Sequence, residues 1–410
     1  MGEGTARGRA LLLGVTLLGG LAAAAAAGLR PTPPRHAGDA PGEFSAARAE
    51  RILGDLVGDG APHPVGSAAA ARVLERVVAE LRRLGLEPRV QETFACGVYG
   101  MCATVRNVVA RLEGRVPGRA VLLMAHHDSV PAGPGAGDDG AGVAALLEAA
   151  RALRHHPPWR PVILLVDDGE EGGLVGAAAF ASSHPWAPEV GAVVNLEARG
   201  TSGASLLFQT SGDDLWLARL AGRALPHPVA SSLFAEIYRR LPNDTDLSVF
   251  RPLGLPGLDF AFVGDAGRYH TPLDDLAHLD RDSLQHQGEN ALAAVRALAA
   301  ADLEAPPPGG AYPGAPSYAY GQTSAPPAYG QPVPPAAYGR PAAPPPYGGS
   351  APGQGAMYAS PVAPPPAAAP VAPSQPVVAS ADTMPCPQCQ TPLAFYTPVC
   401  GRCGMQLNWS

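Results

Sequence analysis

The amino-acid sequence predicts an α/β fold with a mostly parallel (mixed) central sheet and helices on both of its faces. Two observations predict it. Four segments are apolar almost throughout, as is typical of strands buried on both faces; they read NVVARLEG, AVLLMAH, PVILLVDD and GAVVNLEA. Helical stretches separate the later segments, with GVAALLEAARALR before the third and GLVGAAAFASSH before the fourth. Alternation of strands with helices is typical of a parallel sheet.

Two further helices bound this domain along the chain. The stretch GSAAAARVLERVVAELRRLG places Val73, Val77, Leu81 and Leu84 on one stripe, which is the periodicity of an amphipathic helix. The stretch SLQHQGENALAAVRALAAAD is predicted to form the last helix. We therefore assign residues 43–304 to one globular domain.

The composition changes abruptly after this domain. The chain has 47 prolines and 49 glycines, too many for one globular unit, and they are unevenly spread. Residues 305–382 are dominated by Pro, Ala, Gly, Ser, Gln and Tyr, and a Tyr-Gly unit recurs. Such a segment buries too little apolar surface to offset the entropy of ordering. It is predicted to be a disordered, partly polyproline-II linker.

The last segment, residues 383–410, contains two Cys-x2-Cys pairs separated by ten residues. This spacing can deliver four thiolates to one tetrahedral zinc ion. We predict a small structural zinc ribbon, with a redox or disulfide role as the alternative, and the sequence does not indicate its partner. The four predicted ligands are Cys386, Cys389, Cys400 and Cys403.

The amino-terminal segment, residues 1–42, has the features of a targeting sequence. Arg7 and Arg9 precede an apolar run from Ala10 to Leu29 that is long enough to span a bilayer. Its Ala-rich end also resembles a signal-peptide cleavage region. Signal anchor and cleaved signal peptide remain alternatives. Both place the domain outside the cytoplasm, as a membrane-anchored or secreted protein.

Charge and the remaining cysteines bear on partners and compartment. The formal net charge of −7 is mild and argues against a nucleic-acid-binding surface on the main domain. Cys96 and Cys102 lie close together in FACGVYGMC. They could close a small disulfide loop in an exported domain. Two free thiols in a half-buried loop are the alternative.

The candidate chemistry begins in the stretch AHHDS, which follows a buried strand. Ligands of open α/β sheets bind beyond the carboxyl ends of the strands. Because strand side chains alternate, His126 and Asp128 project to one side and His127 to the other. A metal-bound imidazole usually donates its second N–H to a carboxylate, and Asp128 is placed to accept it. We therefore predict His126 as a metal ligand and His127 as a bystander that packs on the sheet or points to solvent.

Two adjacent aspartates follow in a glycine-rich loop, GAGDDGAG, directly before a helix. Asp138 and Asp139 have two interpretations at this position. Taken alone, they could be a helix N-cap and an acidic first turn. Together with His126 they could instead contribute to a metal site.

The following strand ends favour the metal site. Glu170 and Glu171 occupy a Gly-flanked turn, Glu197 ends the next strand, and a late loop supplies His270. Two histidines and three carboxylates, one of them bridging, suit a pair of divalent ions, zinc first. Such a pair can activate a water for attack on a carbonyl. A further carboxylate, not bound to metal, must move the proton, which adjacent glutamates could provide.

These motifs occur in an order that resembles a known family. The pattern AHHDSV, GAGDDGAGVA, DDGEEGGLVGAAAF, NLEARGTSG and YHTPLDD resembles the family twenty-eight metallopeptidases of clan MH, which are dizinc aminopeptidases. It is most similar to the endoplasmic reticulum metallopeptidase and vacuolar membrane protease branch and to bacterial relatives. The resemblance covers roughly residues 45–300. It implies the phosphorylase/hydrolase-like fold of the zinc exopeptidases.

The resemblance also implies a ligand set for two catalytic zinc ions. His126 and Glu197 would hold one zinc, Glu171 and His270 the other, and Asp138 would bridge them. Glu197 departs from the aspartate that is common in the wider family, although glutamate is usual in the branch named above.

The resemblance further implies that Glu170 is the general base and that Asp128 orients His126. Arg199, Tyr269 and Asp274 are candidates for supporting roles. The chain is accordingly predicted to be a zinc-dependent aminopeptidase that acts on peptides. Carboxypeptidase and glutaminyl cyclase activities on the same fold are alternatives. A non-catalytic binding or scaffold protein, acting through the ribbon and the Pro-rich tail, is another.

Overall fold

The computed structural model describes residues 40–304 apart from 213–214 and 242–243, the short segments 383–385 and 392–394, and isolated positions before residue 40. Apart from those isolated positions and residues 40–42, the predicted targeting segment lies outside the described residues, as do the linker and the four cysteines of the predicted ribbon. Within the described part of the chain, no helix has both the length and the apolar character needed to cross a membrane.

A seven-stranded mixed sheet forms the centre of the domain, with the strand order β1-β2-β4-β3-β5-β7-β6. The four central strands run parallel, and the outer strands pair antiparallel with their neighbours. The predicted α/β class with a mostly parallel, mixed sheet is confirmed. The strands are β1 (Arg89–Cys96), β2 (Cys102–Leu112), β3 (Ala120–His126), β4 (Val162–Asp167), β5 (Val190–Ala198), β6 (Leu206–Thr210) and β7 (Gly257–Phe262).

Helices cover both faces of this sheet, as the sequence predicts. The α-helices are α1 (Ala46–Val57), α2 (Ala68–Arg83), α3 (Gly142–His155), α4 (Val175–Ser183), α5 (Leu215–Ala224), α6 (Ser232–Tyr238), α7 (Leu247–Phe250) and α8 (Arg281–Ala300). Buried side chains of α1, α2, α3, α5 and α8 form one apolar cluster with the sheet. Those of α4 and α7 form another.

The alternation of side chains along β3 shows how the sheet serves both clusters. Leu123 and Ala125 belong to the first cluster, whereas Leu122 and Met124 belong to the second. Because both faces are covered, all residues of β3 are buried. Burial of each leucine contributes about 1.5–3 kcal/mol to folding. This packing fixes the position of the strand whose last residue is His126.

Helix α2 begins and ends where local chemistry predicts. The Ser67 side chain caps it by accepting the Ala70 N–H at 3.0 Å. Val73, Val77 and Leu81 are buried along its inner stripe, as the apolar periodicity predicts. Leu84 lies just beyond the last helical residue and packs partly buried against the same cluster.

The β1–β2 hairpin ends in a turn that is closed by a disulfide bond between Cys96 and Cys102. Of the two alternatives left open by the sequence, the structure therefore has the disulfide. A second, separate unit contains a short antiparallel hairpin of β8 (Thr383–Pro385) and β9 (Pro392–Ala394).

Candidate metal centre

The carboxyl ends of the parallel strands bring together residues that are far apart in sequence. His126 is the last residue of β3, and Glu197 lies next to the last residue of β5. Asp138 lies in the segment Ala136–Ala141, which leads into α3 and is not helical at Asp138 itself. Glu171 follows β4, and His270 comes from the loop after β7. All five predicted dizinc ligands meet at this edge of the sheet.

Within the described residues, these five side chains form two groups suited to a metal ion. In the first group, His126 Nε2 lies 3.3 Å from Asp138 Oδ1 and 3.8 Å from Glu197 Oε2. In the second, His270 Nε2 lies 3.1 Å from Asp138 Oδ2 and 3.1 Å from Glu171 Oε2. Asp138 belongs to both groups and presents a different oxygen to each. This geometry is suited to a carboxylate that bridges two ions.

The hydrogen bonding of His126 orients one ring nitrogen toward this site. Its Nδ1 lies 3.0 Å from the carbonyl oxygen of Asp128, which can only accept, so Nδ1 must carry the proton. In the neutral ring Nε2 then keeps its lone pair. This atom is buried, has no hydrogen-bond partner among the described residues, and faces two carboxylates. A buried lone pair beside carboxylate oxygens fits a cation, and imidazole and carboxylate together suit zinc.

The ionisation of these side chains also indicates a site for cations. Burial raises the pKa of Glu170 and of Glu197 well above the ordinary glutamate value. Burial, with the charge of Asp138, raises the pKa of Glu171 to about 7. Burial opposes protonation of His270, but hydrogen bonds to Asp138 and Glu171 raise its pKa to about 9. With pKa values raised in this way, the buried carboxyl groups ionise readily only next to a positive charge. Bound cations would provide that charge.

Glu170 lies beside the two groups without belonging to either. Its carboxylate makes no hydrogen bond within the described part of the chain, and its side chain is half-buried. Its backbone N–H donates to Asp128 Oδ1 at 3.0 Å. The Glu170 carbonyl accepts the N–H groups of Gly173 and Leu174 at 2.8 and 2.9 Å. This tight turn separates Glu170 from its neighbour Glu171, which faces His270.

Asp128 contacts His126 differently from the sequence prediction. The backbone carbonyl, not the carboxylate, accepts the hydrogen bond from His126 Nδ1. The nearer carboxylate oxygen lies 3.5 Å from that nitrogen and accepts the Glu170 N–H instead. The reason is local, because the Asp128 carbonyl oxygen, at 3.0 Å, lies closer to Nδ1 than the carboxylate oxygen at 3.5 Å. Asp128 thus contacts both the predicted ligand and the predicted base.

The two aspartates of the glycine-rich loop have different roles. The side chain of Asp138 lies among the candidate ligands, as described above. Asp139 Oδ1 instead accepts the Gly142 N–H at 3.0 Å, at the beginning of α3. The structure thus separates the two residues, because only Asp138 lies among the candidate ligands and only Asp139 contacts the first residue of α3.

Three side chains that support the ligands were not predicted, or only in general terms. Asn195 Nδ2 donates to Glu197 Oε1 at 3.1 Å, and Gln287 Nε2 donates to the Glu197 carbonyl at 2.8 Å. Asp274, a candidate for a supporting role, accepts the N–H groups of Gly137 and Asp138 at 2.6 and 3.1 Å. Asn195 could have been found, because it lies two residues before Glu197 on the same side of a strand. Gln287 comes from α8, and no local pattern links it to Glu197.

The remaining candidates lie around the site without joining the ligand groups. His127 is buried, and its Nε2 lies 3.1 Å from the Arg106 carbonyl, so it packs on the sheet as predicted. The Tyr269 ring stacks on His270 with centroids 3.7 Å apart. The Arg199 guanidinium lies 5.4 Å from the centre of the Tyr269 ring.

The mixed sheet and the histidine–carboxylate groups at its edge place the domain in the class of metallopeptidases. Residues 107–295 match the model of Peptidase family M28.

Two relatives show how far the sequence similarity extends. Endoplasmic reticulum metallopeptidase 1 of Rattus norvegicus is 33% identical over 284 residues, which are 64% of this chain and 32% of the relative. Vacuolar membrane protease of Candida albicans is 34% identical over 253 residues, 60% of this chain and 29% of the relative. The chain thus spans about a third of the length of these two relatives.

Solved structures share the fold at low sequence identity. A glutaminyl cyclase from an Acidobacteriales bacterium has a TM-score of 0.53 and 20% identity, covering 65% of this chain and 98% of its own. A Zn-dependent exopeptidase from Parabacteroides distasonis has a TM-score of 0.51 and 22% identity, covering 63% of this chain and 99% of its own. These similarities show that the domain shares its fold with both proteins.

Proposed function

We propose that this domain is a zinc-dependent aminopeptidase that removes N-terminal residues from peptides. One observation carries the proposal. Asp138 presents one oxygen to each of two ligand groups, while Glu170 lies beside both groups and belongs to neither. This arrangement supports a two-metal hydrolase, in which bridging ligand and proton carrier must be different carboxylates.

The ligand roles follow from the distances. His126, Asp138 and Glu197 would hold one zinc ion, and Asp138, Glu171 and His270 the other. Zinc bound there supplies Lewis-acid chemistry, activating a water and polarising the carbonyl of the scissile peptide bond.

Glu170 moves the proton in this proposal. As a carboxylate it accepts a proton from the attacking water, and as a carboxylic acid it donates that proton to the leaving amine. Its carboxylate is suited to this because no donor among the described residues engages it, whereas its backbone is fixed by the hydrogen bond to Asp128. Asp128 fixes the positions of Glu170 and His126 relative to each other, because its carboxylate contacts the Glu170 N–H and its carbonyl contacts the His126 ring.

The acidic surroundings favour a free amino terminus as the group that is recognised. Asp167 and Asp246 are buried near the site; burial raises the pKa of Asp246 to about 6, so that its carboxyl group is ionised above that pH. Asp139 is buried there as well. Acidic groups attract the α-ammonium of a peptide and repel its α-carboxylate. The substrates we propose are therefore peptides with an unblocked amino terminus, rather than the carboxyl-terminal ends that a carboxypeptidase would require.

The arrangement of the whole chain is also part of the proposal. We propose residues 43–304 as the peptidase domain, 1–42 as the signal anchor or signal peptide, 305–382 as a linker and 383–410 as a ribbon with one structural zinc ion. The domain would lie outside the cytoplasm, anchored or secreted. The name of one relative, vacuolar membrane protease, supports a membrane location.

The test compares three substrates on the zinc-loaded full-length chain. These are an aminoacyl-p-nitroanilide, the same compound with an N-acetyl group, and a peptide that begins with glutamine. We expect hydrolysis of the first compound and not of its acetylated form, and no pyroglutamyl product from the third. Elemental analysis should find three zinc ions per chain, two in the peptidase domain and one in the ribbon. Conversion of the glutaminyl peptide to a pyroglutamyl product with release of ammonia would instead assign cyclase activity. Equal hydrolysis of the acetylated compound would contradict recognition of the amino terminus.

A further inference from the structure

The disulfide-closed turn 96–102 lies directly against the loop that carries Glu170. The Val98 N–H donates to the Gly173 carbonyl at 3.1 Å, and the Gly97 N–H closes the turn on the Met101 carbonyl at 2.8 Å. A Cβ atom on Gly97 would come within 1.9 Å of the Gly173 carbonyl oxygen. Turn and loop thus approach backbone to backbone, which only glycine permits at this position.

A side chain of the turn makes a second connection. The Tyr99 hydroxyl donates to Asp244 Oδ2 at 2.9 Å. The other oxygen of Asp244 accepts the Thr245 N–H at 3.0 Å and the Ser248 hydroxyl, at the beginning of α7. The turn therefore links the Glu170 loop to the segment that leads into α7.

The Glu170 loop is consequently held from two sides. At its start, Asp128 accepts the Glu170 N–H, and at its end the turn donates to the Gly173 carbonyl. Between them, the Glu170 carbonyl accepts the Gly173 N–H, which makes the loop one short hydrogen-bonded unit. Displacement of Gly173 would therefore displace Glu170.

Burial does not fix the shape of the turn. Val98 and Tyr99 are 48% and 58% exposed, and β1 is an edge strand of the sheet. The ends of edge hairpins with exposed side chains open readily. The covalent link between Cys96 and Cys102 joins the two strands where the turn meets the Glu170 loop.

We propose that the disulfide-closed turn 96–102 positions the Glu170–Gly173 loop, so that the turnover rate depends on the Cys96–Cys102 disulfide. The expected change in kcat rests on the proposed function. The expected protection of the Glu170–Gly173 loop from hydrogen exchange does not depend on that function. Cys96, Cys102 and Tyr99 act in this proposal as positioning residues.

The experiment uses the zinc-loaded full-length chain and a variant in which Cys96→Ser and Cys102→Ser are combined. We expect kcat to fall by about ten- to a hundredfold, the effect of a small misplacement of a catalytic group. KM should change by less than about threefold, because substrate binding is not altered. The zinc content should stay the same. Hydrogen exchange of a peptide covering residues 168–176 should become faster, whereas exchange in β3 should not change.

Three controls separate the possible causes. Dithiothreitol should lower kcat of the wild-type chain but not of the double variant, which excludes an effect through the four carboxyl-terminal cysteines. Tyr99→Phe keeps the disulfide, loses the bond to Asp244, and should lower kcat by a smaller factor. Val90→Ala changes an exposed residue at the other end of β1 and should leave kcat unchanged.

The outcomes distinguish this inference from the proposed function. Unchanged kcat and unchanged exchange in the double variant of an active chain would overturn the inference. A chain without peptidase activity would contradict the proposed function, and the exchange measurement would still decide whether the turn protects the loop. If the double variant does not fold, reduction of the folded wild-type chain provides the same two readouts.

Discussion

The carboxylate of Asp128 accepts the backbone N–H of Glu170 at 3.0 Å. The carbonyl of the same aspartate lies 3.0 Å from Nδ1 of His126. One residue therefore sets the tautomer of a candidate ligand and the position of the candidate base. Ligand and base come from loops after different strands, β3 and β4, which are parallel neighbours in the sheet. The sheet register brings the loops together, and Asp128 fixes their spacing.

Replacement of the Asp128 side chain should therefore affect the candidate base Glu170 more than the candidate ligand His126. Asp128→Ala leaves the Glu170 N–H without its acceptor while the carbonyl to His126 remains. We expect kcat to fall by about ten- to a hundredfold, as is typical when an outer partner of a metal site is lost. Steady-state kinetics and zinc titration measure the two effects separately. Loss of zinc with unchanged kcat in the reloaded enzyme would show that Asp128 serves only the ligand.

Glu170→Gln should abolish most turnover without loss of metal. The amide keeps the size of the side chain but cannot accept the proton of the attacking water. We expect kcat to fall by about a hundred- to ten-thousandfold, the usual contribution of general acid–base catalysis. Elemental analysis should find the same zinc content as in the wild type. Activity within tenfold of the wild type would show that another group is the base.

Glu171→Gln provides the matched comparison at the adjacent position. Glu171 Oε2 lies 3.1 Å from His270 Nε2, so this change removes a charged ligand from the second group. We expect the zinc content to fall from two ions to one per domain, because a neutral amide is a weaker ligand than a carboxylate. Elemental analysis after dialysis measures the stoichiometry. Two retained ions would assign Glu171 a role other than ligation.

The contrast between these neighbours shows what the sequence can predict. Strand alternation separates His126 from His127, and the structure has only the first among the candidate ligands. Glu170 and Glu171 follow a strand, in a turn where no such alternation applies. Their assignment came from the resemblance to a family, and the turn geometry now provides a physical reason. Asp138 and Asp139 were likewise inseparable by pattern, because the path of a glycine-rich loop depends on its tertiary contacts.

Other parts of the site depend on contacts that no local pattern encodes. Gln287 reaches Glu197 from the last helix, and Tyr99 reaches Asp244 across the rim of the site. The sequence also left the state of Cys96 and Cys102 open, since pairing depends on the register of β1 and β2. In that register Cys96 lies directly opposite Cys102. Long-range side-chain pairs of this kind follow from the folded topology.

His127→Ala should lower stability and leave the metal site intact. The His127 ring is buried, and its Nε2 is within hydrogen-bonding distance of the Arg106 carbonyl. Loss of the ring removes this part-buried hydrogen bond, which costs about 0.5–1.5 kcal/mol of folding free energy. Denaturant unfolding measures this loss, and elemental analysis should find the wild-type zinc content. His126→Ala is the comparison, and it should lose zinc. Zinc loss in the His127 variant would reverse the assignment of the two histidines.

Asp274→Asn tests whether the bridging ligand is held through its own backbone. Asp274 accepts the N–H groups of Gly137 and Asp138, one with each carboxylate oxygen. In asparagine one of these oxygens becomes an NH2 group, which donates and so opposes one of the two N–H groups. We expect zinc affinity to fall by about ten- to a hundredfold, because the Asp138 carboxylate is no longer fixed. Competition with a zinc-binding dye measures the affinity.

The control is Asp275→Asn at the next residue, where the carboxylate pairs with His278 at 2.7 Å on the surface. Equal zinc affinity in the two variants would show that the backbone contacts of Asp274 do not position the bridging ligand.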